Sequence, residues 1–144
     1  MSKLGRYSAD RKKVETLTAA KVVEVAECGT LFMCDFGGAV NLDLPDPAAA
    51  GKGWWCKFIV ADATLGGAAT IRVLDAAGSA QANKIAAVSL CATDAADDAN
   101  DDADTVTIAS AAVRGTQVEF VCDGSHYYAV ANSAAHAHIA IAAD

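Results

Sequence analysis

The chain has 144 residues and a formal net charge of −7, and its 53% hydrophobic content rests on 34 alanines and only nine aromatic residues. That length suits one domain able to bury a core without metals or disulfides, and an acidic body would repel a phosphate backbone, so no nucleic-acid partner is expected. No run approaches the roughly 20 apolar residues of a membrane helix, and Met1-Ser2-Lys3-Leu4-Gly5-Arg6 leads into no apolar stretch, so a soluble chain with no secretory leader and no membrane partner is expected.

Charge divides the chain before any pattern of secondary structure does. Residues 1–21 carry a net +4 and the remainder −11. Residues 1–20 therefore read as an extended basic N-terminal arm, and residues 21–144 as a β-rich body. Lys3, Arg6, Arg11, Lys12 and Lys13 give the arm its charge and make it a candidate for gripping an acidic partner surface.

The pattern over 14–27 mixes strand formers (Thr16, Thr18, Val22, Val23, Val25) with residues that accept a helix, and extended structure is favoured. Residues 30–34 form a short strand, Gly37-Gly38 a turn, and 39–44 the next strand, with Val40, Leu42 and Leu44 on one face and Asn41 and Asp43 on the other. Pro45 and Pro47 end it, since neither donates to a ladder. Residues 53–61 make the best central strand, with Trp54, Cys56, Phe58 and Val60 facing one way and Trp55 the other. Trp54 is thus expected in the core and Trp55 in an oligomer contact.

Turns at Leu65-Gly66-Gly67 and Ala76-Ala77-Gly78 bracket a strand over 70–74. Ile85, Val88 and Leu90 suggest another over 83–90. Residues 94–104 hold six aspartates and read as an exposed loop. A strand over 105–109 follows. A hairpin spans 116–131, with Val118, Phe120 and Cys122 opposing Gln117 and Glu119 and Asp123-Gly124 at the reversal. Residues 135–141 close the domain. About nine or ten short strands without a convincing helix predict an all-β fold, a jelly-roll-like sandwich or barrel with an extended N-terminal arm.

Five cysteines in no metal-binding spacing leave at least one thiol unpaired. Cys34, Cys56 and Cys122 fall at apolar strand positions, as buried free thiols in a reducing compartment would. Two clusters have the chemistry of metal ligands. The aspartate segment, including Asp97, Asp98, Asp101 and Asp102, offers the oxygens a hard cation takes, but lacks the central glycine and closing glutamate of an EF-hand. His136 and His138 would share one face of a strand and could chelate if a third ligand arrived, most plausibly at a symmetry axis. A solvated loop and surface or interface histidines are preferred, and no cofactor is expected. Ser125-His126 is no triad, because neighbours along a strand point to opposite faces. No catalytic residue is assigned and the chain does not read as an enzyme.

One order of motifs is familiar: Leu44-Pro45, then Ala50-Gly51-x-Gly53-Trp54 running to Phe58, then Thr70-Ile71, then Gly115-Thr116-x-Val118-x-Phe120 and Asp123-Gly124-x-x-Tyr127-Tyr128-x-Val130. It resembles the capsid decoration, or cement, proteins of tailed bacteriophages and related modules of head and tail fibres. The resemblance covers roughly residues 30 to 132 and lies in turn-and-strand chemistry more than in a reactive constellation. It implies a homotrimer on the outer capsid surface of the virion, assembled in the host cytoplasm. It also implies extended termini gripping the major capsid protein. The aspartate segment and the cysteines depart from that pattern. The alternatives are a receptor- or glycan-binding fibre module, for which Trp55, Tyr127 and the aspartate segment are the residues to examine, and a small barrel enzyme with histidines and carboxylates converging in its mouth.

Overall fold

The computed structural model describes residues 11–93 and 98–143. Lys3, Arg6 and Asp97 lie outside them. The described chain is all β apart from one short helix and two 3-10 turns, and its two mixed sheets pack as a sandwich. No helix among the described residues is long and apolar enough to cross a membrane.

Six strands come first: β1 (Lys13–Leu17), β2 (Lys21–Val22), β3 (Thr30–Cys34), β4 (Val40–Leu44), β5 (Trp55–Val60) and β6 (Ala69–Val73). They alternate between the two layers. β1, β3 and β5 pair in parallel in one sheet, and β2, β4 and β6 pair in parallel in the other, so the chain winds as a flat coil. The remaining strands complete the layers: β7 (Ile85–Cys91), β8 (Asp98–Ala103), β9 (Thr105–Ile108), β10 (Gln117–Cys122), β11 (Tyr127–Ser133) and β12 (Ile139–Ala142). One sheet has seven strands in the order β1-β3-β5-β10-β11-β7-β8, and the other has five in the order β12-β9-β6-β4-β2.

The coil is held at one end by stacked glycine turns. Gly66 N–H donates to Phe36 O at 2.7 Å, and Val40 N–H to Ala68 O at 3.0 Å. A Cβ on Gly66 would overlap the Gly37 backbone, and one on Gly67 would overlap Gly38 and Ala39. Gly66 and Gly67 are needed because another backbone passes where no side chain fits, whereas a Cβ on Gly37 or Gly38 would meet nothing.

The core lies between the layers. Phe32 stacks on Phe58 with ring centroids 5.2 Å apart, Phe58 meets Phe120 edge-on, and Phe120 and Trp54 both meet Tyr127 edge-on. Leu42, Leu44, Ile71, Val73, Val106 and Ile108 cover them from the five-stranded sheet. The polar ends of the aromatics are satisfied: Tyr127 O–H donates to Pro45 O at 2.8 Å, and Trp54 Nε1–H to Val25 O at 2.9 Å.

Four expectations need correction. The expected arm runs to residue 20, but residues 13–17 are β1, whose Leu17 is buried in the core; parallel pairing to β3 satisfies its backbone where charge alone suggested solvent. Residues 47–50 form a one-turn helix, α1 (Pro47–Ala50), with Pro47 at its first position and the Asp46 side chain accepting from Ala48 N–H. Pro ends the preceding strand and starts this turn because its fixed φ suits both. Residues 98–103 are the edge strand β8 rather than loop. His136 and His138 sit in a 3-10 turn (His136–His138) rather than on one face of a strand, and about 120° per residue sends their side chains apart.

Candidate interaction face

The two outer faces of the sandwich differ in kind. On the five-stranded sheet the outward rows are polar across the middle, where Asn41 pairs with Thr70 and Thr70 with Thr107, while Asp43 pairs with Arg72 and Arg72 with Thr105; Val22, Ala140 and Ala142 stand at their ends. Arg72 donates to both carboxylate oxygens of Asp43, through Nε at 2.5 Å and Nη2 at 3.4 Å. That half-buried fork raises the guanidinium's affinity for its proton, the Asp43 hydrogen bond outweighing the opposing effect of burial. Asp43 thus points outward as expected but is buried by its partner.

The seven-stranded sheet is apolar on both sides. Across its middle the outward residues run in register Val14, Leu31, Lys57, Glu119, Val130, Val88 and Ala99, one from each strand. Flanking rows carry Trp55, Val121, Tyr128 and Ala86 on one side, and Met33, Ile59, Gln117, Asn132 and Leu90 on the other. Val14, Val88, Leu90, Val121, Tyr128 and Val130 are all exposed, Val14 by 59% and Tyr128 by 51%. Beside β8 the face dips into a shallow depression lined by Ala86, Val88, Ala99, Asp101, Tyr128 and Val130.

Charge on this face is segregated. Lys57 is on β5 and Lys12 sits over the Trp55 ring, 5.4 Å from its centroid, a cation–π contact. The anions lie on the other half: Glu119 on β10 and Asp101 on the β8 edge. Trp55 is therefore where the sequence placed it, on the outer face, while Trp54 is buried at 3% exposure. Gly29 passes against the Trp55 indole.

The other candidate residues do not gather. Arg11, Lys12 and Lys13 are exposed at the entry to β1. Asp98, Asp101 and Asp102 are strung along β8, where a register shift opposite Ile85–Ala87 sends Asp101 and Asp102 both outward. No group of three or more His, Cys, Asp or Glu able to hold a metal occurs among the described residues. Tyr127 is fully buried and unavailable to a glycan; its exposed neighbour Tyr128 instead donates to Asp123 Oδ2 at 3.0 Å. Asp123 also accepts from His126 and Ser125 N–H, and these bonds hold its carboxyl below the usual range.

Cys34, Cys56 and Cys122 are buried free thiols. Burial pushes the Cys34 thiol up to about 12 and raises Cys56 and Cys122 as well, so none is a ready thiolate near neutral pH.

Val88, Leu90, Val121 and Val130 were missed as surface residues. The signal was present: Ile85 lies an odd number of positions from Val88 and Leu90, so they cannot share a face of one strand. β7 is apolar on both faces, and its outer one, with Val88 and Leu90, is exposed in the single chain. Comparison with family models, curated proteins and solved structures returns no match for this chain.

Proposed function

We propose that this chain is a structural virion protein that decorates the outer surface of a tailed-bacteriophage capsid and stabilises it, with the major capsid protein as its partner. The observation that carries this reading is that the residues behind the resemblance meet in one place. Phe58 contacts Phe120, Phe120 contacts Tyr127, and Tyr127 bonds the carbonyl of Pro45, so motifs scattered over some eighty positions are a single framework. A framework of this kind serves attachment: it fixes faces and ends without converging charged groups on a reacting atom. The exposed cations Arg11, Lys12 and Lys13 stand at the edge where the chain enters β1, next in sequence to Arg6 and Lys3.

A ligand that binds only the assembled shell stabilises it by mass action. Particles made without this protein should assemble with normal geometry and rupture at a lower temperature than particles carrying it. Identical thermal profiles would remove the decoration reading and promote the receptor- or glycan-binding one.

A further inference from the structure

We propose that two copies of this chain pair through the outer face of the seven-stranded sheet, about a twofold axis that runs parallel to the strands between β5 and β10. The inference rests on the composition, size and charge of that face; it sets a pair against the homotrimer that the resemblance implies and leaves capsid decoration itself to its own test.

Size comes first. Seven strands about 4.8 Å apart and five residues rising about 3.3 Å each make a face of roughly 29 by 17 Å, about 500 Å² in projection and larger once side-chain relief is counted. Monomers seldom leave a larger apolar patch in water, and a standard interface takes about 800 Å² from each partner. The polar outer face of the five-stranded sheet shows how this chain treats a surface meant for solvent.

Charge then selects the partner and its orientation. Lys57 and Glu119 are direct cross-strand neighbours at the centre of an otherwise apolar row, opposite charges that partly offset each other within one chain and that a covering face must meet in the reversed order if neither is to lie against its own kind. A twofold parallel to the strands exchanges the two halves of the face. It lays Lys57 over the second copy's Glu119 and Glu119 over the second copy's Lys57, and sets Val130 over Leu31 and Val88 over Val14. A twofold perpendicular to the strands would lay Lys57 over Lys57. A threefold ring joins two different patches and so does not lay this face on itself. Stacked sheets lie about 10 Å apart, a gap that Lys and Glu side chains span together. The face is complementary to itself, as a closed symmetric pair requires.

The test uses the full chain in solution. Light scattering at micromolar concentration should give about twice the 14.7 kDa chain mass. Glu119→Lys alone and Lys57→Glu alone each set like charges face to face and should weaken pairing by more than about a hundredfold. An equimolar mixture of those two variants should restore the pair, because each then meets the opposite charge on the other. A merely local effect on folding would not be repaired by mixing, so restoration reads the contact between copies. A wild-type mass of one chain or of three overturns the proposal. So does a pair that survives either single charge reversal, or variants that each circular dichroism finds folded and that fail to pair when mixed.

Discussion

Phe120 and Glu119 are neighbours whose surroundings could hardly differ. Phe120 is fully buried among Phe58 and Tyr127, whereas Glu119 faces outward. Phe120→Ala should cost about 3–5 kcal/mol, since the lost transfer energy adds to that of the cavity left behind. Glu119→Ala should cost no more than about 0.5 kcal/mol at dilutions where the chain is single. Denaturant melts of both variants check this, and equal costs would mean that β10 is turned over. Gly67 tests the opposite lesion. Gly67→Ala puts a methyl into the Gly38–Ala39 backbone and should destabilise by about 1–3 kcal/mol or more through overpacking, against the few tenths expected of an open surface glycine such as Gly38, whose Cβ would meet nothing.

On β2, Lys21 ties three segments together. Its ammonium donates to Glu27 at 2.8 Å and to Glu15 at 3.1 Å, and Glu24 N–H donates to the other Glu27 oxygen. Burial opposes ionisation of Glu27, but the Glu24 N–H and the Lys21 ammonium outweigh it and hold the carboxyl below its ordinary 4.5. Lys21 is held above 10.5, the Glu27 hydrogen bond outweighing its desolvation. A lowered acid contributes stability above its unfolded value that is lost as pH falls through the folded one, and a raised base does the reverse at high pH. Urea melts should therefore show Glu27→Gln costing about 1 kcal/mol near neutrality and losing less than the parent between pH 5 and pH 3. An unchanged difference across that range would remove Glu27 as the titrating group. At this scale alternation made the sequence readable: Trp54, Cys56, Phe58 and Val60 face inward as their spacing requires, as do Val118, Phe120 and Cys122. β8 was illegible because strand formation there depends on pairing with β7 and not on its own aspartates. On an edge those charges have a use, since they discourage further strands from adding.

For the whole molecule, the all-β sandwich was legible and its connectivity was not. A strand's pattern tells which face is buried but nothing of its neighbour's direction, so the parallel winding of β1 to β6 left no trace in apolar spacing. The basic segment splits the same way: Leu17 belongs to the core, while Arg11 and Lys12 precede the first strand. Removing residues 1–10 leaves every described strand in place, and circular dichroism should remain β. Shell attachment of that truncated chain, which loses Lys3 and Arg6 but keeps Arg11, Lys12 and Lys13, should weaken and its salt dependence should shrink. Removing residues 1–17 deletes β1 and bares the edge of β3, and should also lower thermal stability. Undiminished attachment of the shorter truncation across a salt titration would show that Lys3 and Arg6 are no anchor.

The position of β10 governs when the sandwich can form. It lies between β5 and β11 at the middle of the seven-stranded sheet, yet it comes late in the chain. Until residue 133 has left the ribosome, β1-β3-β5 and β7-β8 are separate pieces without the β10–β11 hairpin that joins them. Glu119 must find Lys57 across a long loop, and closing such loops before their contacts form makes folding slow, on the order of milliseconds to seconds. A nascent chain stopped before residue 117 leaves the β5 edge of the coil unpaired and Phe58 without its Phe120 contact. Synthesis therefore has a window of exposure that closes only when β10 and β11 have emerged, and chaperone dependence should track the time spent there.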